Sequence, residues 1–172
     1  MNGHMKPADI EKRSFAIITE ELGGRTFPEG VAEVVKRVIH TSADFDYADN
    51  LCFSPDAVEQ AKAALEAGAT IVTDTNMALA GISKPTLAKL GGRAVCLMAD
   101  EAVAREAKER GVTRATVSME HAAKLDGPLI FAIGNAPTAL IRLHELIGEG
   151  AVSPALVIGV PVGFVNVVES KE

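Results

Sequence analysis

One stretch of the chain combines the side chains that proton transfer needs. In the run RVIHTSADFD, His40 is followed by two hydroxyls, Thr41 and Ser42, and by two carboxylates, Asp44 and Asp46. An imidazole changes its charge near neutral pH, so it can act as a general acid or base towards a substrate atom within hydrogen-bond distance. The stretch therefore indicates acid–base chemistry centred on His40.

A helix has to present this histidine. Pro28 suits the first turn of such a helix, and His40 is predicted to be its last residue, on the polar side. The buried side is defined by apolar residues at helical spacing: Val31, Val34, Val35, Val38 and Ile39. A histidine in a last turn can also cap free carbonyls and complement the helix dipole. The pattern alone leaves both roles open.

A second helix is predicted over residues 6–22, ended by the glycine pair that follows it. Its apolar stripe consists of Ile10, Ile17, Ile18 and Leu22, and Ser14 lies on the same stripe. A serine in such a position often bonds back to the carbonyl one turn earlier, so a purely structural role for Ser14 stays open.

From about residue 70 onwards, strands and helices alternate. Near-continuous apolar segments such as Leu129–Ile133 are typical of strands buried on both faces. We therefore predict a three-layer α/β/α fold with a mainly five-stranded parallel sheet. The predicted strands are Thr70–Thr73, Ala94–Met98, Ala115–Val117, Pro128–Ile133 and Ala155–Val160, with helices around residues 75–90, 100–110, 118–124 and 137–149. Earlier in the chain, Leu51–Phe53 is a short strand candidate, and Ser54 is predicted to cap a helix that ends near Ala67.

Polar residues follow two of the predicted strands, at the sheet edge where parallel sheets bind ligands. Thr75 and Asn76 follow the first of these strands, and the turn GNAPT, from Gly134 to Thr138, follows another. Free N–H groups at the start of the next helix favour a carboxylate or phosphate ligand. An ordinary strand-to-helix turn capped by Asn135 is the alternative. Gly159 could simply let a helix pack closely on the sheet.

Composition excludes several classes of function. With 172 residues, of which 48% are hydrophobic, the chain is expected to form one domain around one core. A formal net charge of −6 argues against nucleic acid and anionic membranes as partners. No apolar run is long enough to span a membrane. Cys52 and Cys96 lack the spacing of a metal site, so reduced thiols and a cytoplasmic location are expected.

Sequence motifs for other chemistries are missing too. The chain contains no G-x-G-x-x-G, no phosphate-binding loop, no G-x-S-x-G, no paired-cysteine metal site and no H-E-x-x-H. His121 and His144 fall in predicted helices and are expected at the surface or half-buried. We therefore expect neither a cofactor nor a metal. The remaining histidine, hydroxyls, amides and cations suit a proton-assisted rearrangement of an anionic ligand. The cations are Arg13, Lys84, Arg93, Arg142 and Lys171.

Three motifs resemble those of the precorrin-8X methylmutase family of cobalamin biosynthesis. They are RVIHTSADFD around His40, GNAPTAL from Gly134, and GVPVGFV from Gly159, followed by Glu169-Ser170-Lys171. The resemblance covers nearly the whole chain, with the motifs in the family's order. The family chain continues beyond Glu-Ser-Lys with a basic segment and a last helix. We therefore expect residues 1–172 to form a single precorrin isomerase domain without that segment.

The resemblance implies a flavodoxin-like fold and an isomerase. In the family a methyl group moves from C-11 to C-12 of a tetrapyrrole, converting precorrin-8X or cobalt-precorrin-8 into hydrogenobyrinate or cobyrinate. The methyl group is already on the substrate, so no methyl donor is needed. His40 would assist by protonating the macrocycle near the ring C nitrogen. The substrate-binding residues that the resemblance and the strand-end pattern together suggest are Arg13, Ser14, Thr41, Asp44, Thr75, Asn76, Asn135 and Thr138. We expect them to share one pocket with His40.

Two other functions are kept as alternatives: a non-catalytic carrier of a corrinoid intermediate, and a flavodoxin-like module that binds FMN. A tetrapyrrole is wide relative to a domain of this size, so a homodimer with its active site at or near the interface is expected. Metal-free and cobalt-containing substrates both fit the sequence, because the chemistry takes place on the ring.

Overall fold

The computed structural model describes residues 6–172, which form two compact units. The first unit ends at Glu59, and the second runs from Gln60 to Glu172. The single domain predicted from the sequence stays a prediction.

The first unit is built on a pair of helices. Helix α1 is Pro7–Leu22, α2 is Val31–Ser42 and α3 is the short Tyr47–Asn50. Helix α4, Ala57–Glu66, crosses into the second unit. The core of the first unit contains Ile18, Leu22, Val31, Val35 and Ile39. Helices α1 and α2 are thus held together by part of each predicted apolar stripe, and Val34 of the α2 stripe is exposed.

Several details of this unit differ from the prediction. Helix α2 begins at Val31 because Gly30 before it has a left-handed backbone, with φ of 75°. The helix continues to Ser42, so His40 is not its last residue. Ile10 and Ile17 are exposed, so the buried part of the apolar stripe predicted for α1 consists of Ile18 and Leu22. No strand forms at residues 51–53 in the part of the chain that the structure describes.

The second unit contains a four-stranded, wholly parallel sheet. Its strands are β1 (Thr70–Thr73), β2 (Arg93–Val95), β3 (Leu129–Ile133) and β4 (Leu156–Gly159), in the order β2-β1-β3-β4. In the central pair, Val72 lies opposite Phe131 and Thr73 lies opposite Ala132. The helices of this unit are α5 (Asn76–Gly81), α6 (Lys84–Lys89), α7 (Glu101–Arg110), α8 (Arg114–Ala122), α9 (Pro137–Gly148) and α10 (Val167–Lys171).

Alternating side chains of the sheet pack into two different clusters. Val72, Phe131 and Ile133 belong to the larger cluster, which includes apolar residues of α8 and α9. Ile130, on the opposite face of β3, packs with Ala64 of α4. Both faces of the sheet are therefore covered, as predicted, although the second face has less helical cover.

The prediction of five strands is wrong at one place. Residues 115–117 lie in α8, and the structure has four strands in its described part. Thr113 caps this helix by accepting a hydrogen bond from the N–H of Thr116 at 3.1 Å. Ala115 and Val117 are buried, and a short apolar run looks alike in a buried helix and a buried strand. The flavodoxin-like assignment stays a prediction.

The remaining predicted helices agree with the structure to different degrees. Helices α7 and α9 lie where they were predicted, whereas the segment predicted around residues 75–90 forms two helices, α5 and α6. A Cβ atom on Gly159 would lie 3.0 Å from Leu140 of α9, so this glycine allows close packing of helix on sheet. Among the described residues, none of the helices has the length and hydropathy needed to cross a membrane.

Candidate active site

His40 is held from two sides by α1. The Ser14 hydroxyl lies 2.8 Å from His40 Nδ1, a hydrogen-bond distance. The Phe15 ring stacks on the imidazole with 5.2 Å between ring centroids and an angle of 23° between the planes. His40 is half-buried, and no hydrogen bond reaches its Nε2 within the described residues. The structure therefore fixes the ring and leaves Nε2 as the nitrogen that can face a ligand.

Arg37 and Glu11 form the next contacts around Phe15. The Arg37 guanidinium lies over the Phe15 ring, with Cζ 4.6 Å from the ring centroid. Arg37 also donates a hydrogen bond of 2.7 Å to Glu11, which lowers the pKa of that carboxyl below its usual value. The positive charge of Arg37 on α2, the first residue of the histidine motif, is thus paired with the carboxylate of Glu11 on α1. Beside it, a groove of about 610 Å³ is lined by Phe15, Thr19, Glu33, Val34, Lys36, Arg37 and Val38.

These contacts bear on the two structural alternatives, which are back-bonding by Ser14 within α1 and capping of α2 by His40. Ser14 contacts His40, and no bond back to its own helix is present among the described residues. Helix α2 ends through Ala43, whose N–H donates to Ile39 O at 2.8 Å, so His40 is not the cap. The two observations argue against back-bonding by Ser14 and against capping by His40, whose last-turn position still complements the helix dipole; the catalytic role stays a prediction.

The other predicted residues of this unit are exposed. Thr41 and Ser42 donate their hydroxyls back to the carbonyls of Arg37 and Val38. Asp44 accepts a hydrogen bond from the N–H of Asp46 at 2.9 Å, and neither carboxylate forms an ion pair with His40 in the described part of the chain. Among the described residues, the hydrogen-bond partner of the His40 imidazole is Ser14 and not one of these carboxylates. Arg13 is exposed on α1.

In the second unit, the loops after β1 and β3 lie side by side because those strands are paired. Thr75 caps α5 by accepting a hydrogen bond from the N–H of Ala78 at 3.0 Å. Asn76 and Asn135 are exposed, and each follows one of the two strands. Thr138 is half-buried, with its hydroxyl 3.1 Å from that of Thr113. The structure therefore brings the predicted strand-end residues to one edge of the sheet.

One buried residue at this edge was not predicted to have a role. Asp74 is 1% exposed, and its carboxylate accepts hydrogen bonds from the N–H groups of Gly134, Asn135 and Ala136 at 3.0, 2.8 and 2.6 Å. The expectation that these N–H groups are free for a ligand anion is therefore wrong, because a carboxylate of the chain itself occupies them. A sequence signal existed: an acidic residue follows one strand and a turn rich in N–H donors follows another.

Most of the other candidate polar residues have partners elsewhere. Arg142 donates to Glu120, Glu145 and Glu149, so its charge is taken up by the helices around it. His121, half-buried as predicted, lies 2.8 Å from Glu106. His144 is exposed on α9. Both positions agree with the prediction that these histidines lie at the surface or half-buried.

The two groups of predicted site residues lie in different units. Ser14 and His40 contact each other in the first unit, and Thr75, Asn76, Asn135 and Thr138 share a sheet edge in the second. The expectation of one pocket for all of them stays a prediction.

A parallel α/β sheet with amides at its strand ends, and a histidine whose Nε2 has no hydrogen bond among the described residues, fit the class of α/β enzymes. The family model of precorrin-8X methylmutase matches residues 9–172, and the chain belongs to that family. It is therefore an isomerase of the methylmutase type.

Individual relatives agree with this assignment. The cobalt-precorrin-8 methylmutase of Priestia megaterium is 46% identical over 168 residues, which are 98% of this chain and 75% of the relative. The precorrin-8X methylmutase of Pseudomonas aeruginosa is 41% identical over 164 residues, covering 95% and 78% of the two chains. The crystal structure of precorrin-8x methyl mutase from Thermus thermophilus is similar with a TM-score of 0.85 and 41% identity, over 95% of this chain and 79% of that one.

Proposed function

We propose that this enzyme moves a methyl group from C-11 to C-12 of precorrin-8X or cobalt-precorrin-8, giving hydrogenobyrinate or cobyrinate. Family membership and the names of the relatives support the substrate class. The observation that carries the mechanism is the His40 imidazole, which is hydrogen-bonded to Ser14 at Nδ1, stacked on Phe15 and open at Nε2.

In this mechanism His40 is the general acid. Its imidazolium donates the Nε2 proton near the ring C nitrogen, while Nδ1–H donates to the Ser14 oxygen. Protonation withdraws electrons from the macrocycle, which eases breaking of the C-11–methyl bond and formation of the C-12–methyl bond. Substrate and product are isomers, so one proton returns from the macrocycle to His40 Nε2, which the first transfer left unprotonated. After transfer, the neutral ring keeps its proton on Nδ1, which Ser14 continues to accept.

The proposed binding residues match a tetrapyrrole that carries several carboxylates. Arg13 is an exposed cation one position from Ser14 and would bind a carboxylate, whereas Asp44 and Thr41 suit donor groups of the ligand. Asn76 and Asn135 have exposed amides that can donate to carboxylates. Thr75 and Thr138 have hydroxyls that are already hydrogen-bonded, so we assign them a smaller part of the binding.

A homodimer with the active site at or near the subunit interface is the proposed assembly. A globular chain of this length has a radius of gyration of about 16 Å, and a flat macrocycle is more easily buried between two such bodies than inside one. In support, a stretch near the end of the chain exposes several apolar side chains, which is typical of interfaces. They are Val160, Val162, Phe164, Val165 and Val168. The proposed compartment is the cytoplasm, where the free cysteines Cys52 and Cys96 would stay reduced.

A non-catalytic carrier is the second candidate function, since the exposed amides and the open histidine would also serve binding alone. The names of the relatives favour the isomerase over both this carrier and an FMN-binding module. Incubating the protein with metal-free precorrin-8X, and separately with cobalt-precorrin-8, distinguishes an isomerase from a carrier. An isomerase changes the absorbance spectrum to that of the product, whereas a carrier binds the ligand with its spectrum otherwise preserved.

His40→Ala is the test of the mechanism. General acid catalysis contributes about 10²–10⁴-fold to rate, so the single-turnover rate is expected to fall by at least that factor while the melting temperature stays nearly constant. His40→Asn keeps a donor but cannot deliver a proton at neutral pH, and we expect it to fail as well. His144→Ala, which removes an exposed histidine of α9, is the matched control. An active but destabilised His40→Ala variant, having lost about 0.5–2 kcal/mol, would instead show that His40 only supports its helix.

A further inference from the structure

We propose that Asp74 is a positioning residue, whose carboxylate fixes the turn that presents Asn135 to the substrate. This inference rests on the proposed function, in which Asn135 binds the ligand. Asp74 does not touch the ligand in this account, since it is 1% exposed. It acts through the backbone of residues 134–136.

The first step of the argument is the number and direction of the donors. Three successive N–H groups converge on one carboxylate, with Gly134 donating to Oδ1 and both Asn135 and Ala136 donating to Oδ2. Consecutive N–H groups at the start of a helix carry a partial positive charge and bind anions. Helix α9 begins at Pro137, which has no N–H, so the three donors before it belong to the turn. One carboxylate group has two acceptor oxygens and can satisfy all three.

The second step is what the same carboxylate joins. Asp74 directly follows β1 and directly precedes Thr75, the cap of α5, while its acceptor atoms hold the loop after β3. One side chain therefore connects the two loops that carry Thr75, Asn76 and Asn135. Losing it would free the Asn135 turn relative to the Asn76 loop, although the strands beneath them remain paired.

The third step concerns selectivity. Without an internal anion, the three N–H groups would form an anion-binding site that attracts substrate acetate groups or inorganic phosphate. Asp74 fills this site. The ligand is then left to contact the exposed Asn135 amide, and the positive end of α9 does not compete for its carboxylates.

Two variants of Asp74 test the proposal. Asp74→Asn has the same size but points an NH₂ group at backbone donors, and Asp74→Gly removes the carboxylate and leaves a space of about the size of acetate. We expect KM for the tetrapyrrole to rise by about 10–100-fold in both, with a smaller change in kcat, because the group displaced is a binding group. Asp100→Gly is the matched control, since Asp100 also accepts a backbone hydrogen bond at a helix start, from Ala102, but on α7. It is expected to lower stability without changing KM.

Added carboxylate provides a readout that a merely structural role would not give. Formate or acetate is expected to lower the KM of Asp74→Gly in a saturable way, with potassium chloride at equal ionic strength as the reference, and to leave the wild type, Asp74→Asn and Asp100→Gly unchanged. Combining Asp74→Gly with Asn135→Ala is expected to cost little more than Asp74→Gly alone. Fully additive effects, or a KM in Asp74→Asn equal to that of the wild type, would overturn the proposal.

A measurement without substrate keeps this test separate from the proposed function. In amide NMR spectra of Asp74→Gly, the signals of Gly134, Asn135 and Ala136 are expected to shift on addition of formate, provided the carboxylate position is as we infer. If the wild type does not convert precorrin-8X but these signals shift, the proposed function is wrong and the fixing of the turn stands. If the wild type is active and the signals of Asp74→Gly do not respond, the role of Asp74 is wrong.

Discussion

Ser14 decides which nitrogen of His40 is available for chemistry. Its hydroxyl lies 2.8 Å from Nδ1, and Phe15 stacks on the same ring. When Ser14 accepts from Nδ1–H, the acidic proton of the imidazolium is the one on Nε2. A serine and an aromatic residue next to each other on α1 thus set the orientation of a side chain on α2.

Replacing Ser14 by alanine should therefore slow the reaction rather than unfold the protein. A hydrogen bond to a charged group is worth about 1.5 kcal/mol, and here it orients the ring that delivers the proton, so we expect the single-turnover rate to fall by about 10-fold. Ser14→Thr keeps the hydroxyl and should retain most of the rate. The control is Thr19→Ala on the same helix, whose hydroxyl donates to the carbonyl of Phe15. Equal losses in Ser14→Ala and Thr19→Ala would mean that helix α1, and not the imidazole, is affected.

Among the helices of the second unit, a network of charges joins α7, α8 and α9. Glu120 of α8 accepts hydrogen bonds from Arg110 of α7 and from Arg142 of α9. The bond from Arg110 is the main reason that the pKa of Glu120 is below its usual value of 4.5, and Arg142 adds to it. The Glu120 side chain is only 14% exposed, whereas that of Arg110 is 41% exposed, so water partly screens their contact.

The lowered pKa of Glu120 has a direction that can be measured. A carboxyl whose pKa is lower in the folded state contributes stability above its unfolded pKa, and this contribution is lost as the pH falls through the folded pKa. Glu120→Gln should therefore lower the free energy of unfolding at pH 7 by about 1–2 kcal/mol, and the difference from the wild type should shrink below pH 4.5. Urea unfolding at several pH values checks this. Glu145→Gln, which removes an exposed partner of Arg142, is the control and should cost less.

Helix α8 also shows how packing decides an ambiguous segment. Ala115 and Val117 have the composition of a short strand, but Ala115 packs in the larger core cluster and Val117 packs with α7. A helix capped by Thr113 places both under cover and satisfies its backbone hydrogen bonds internally. The packing of this segment against its neighbours therefore favours a helix over a strand.

At the scale of the whole molecule, the proposed dimer predicts that exposed apolar residues far from His40 in sequence contribute to the association of two subunits. Phe164 is fully exposed and lies in the apolar stretch named above. Sedimentation equilibrium at micromolar concentration should show a dimer for the wild type and weaker association for Phe164→Ser. Val112→Ser, which changes an exposed valine between α7 and α8, should associate like the wild type. A wild type that is monomeric with substrate bound would contradict the proposed assembly.

The sequence by itself determined the elements with strong periodicity or clear ends. Helix α1 begins and ends close to its predicted bounds because glycine stops it, and β1 and β3 were found from their apolar runs. The sequence also singled out His40, Ser14 and the Asn135 turn, because their motifs are local and resemble those of a known family. These features depend on residues within a few positions of one another, which is the range over which periodicity and capping operate.

Only the tertiary structure decided which polar groups pair with which. Ser14 and His40 are 26 positions apart, and Asp74 is 60 to 62 positions from the N–H groups it holds. No periodic pattern links residues so far apart, since such contacts arise from helix packing and strand pairing. For this reason the sequence left open an anion site or an ordinary capped turn at the start of α9, and only the fold shows that the carboxylate of Asp74 occupies the N–H groups of that turn.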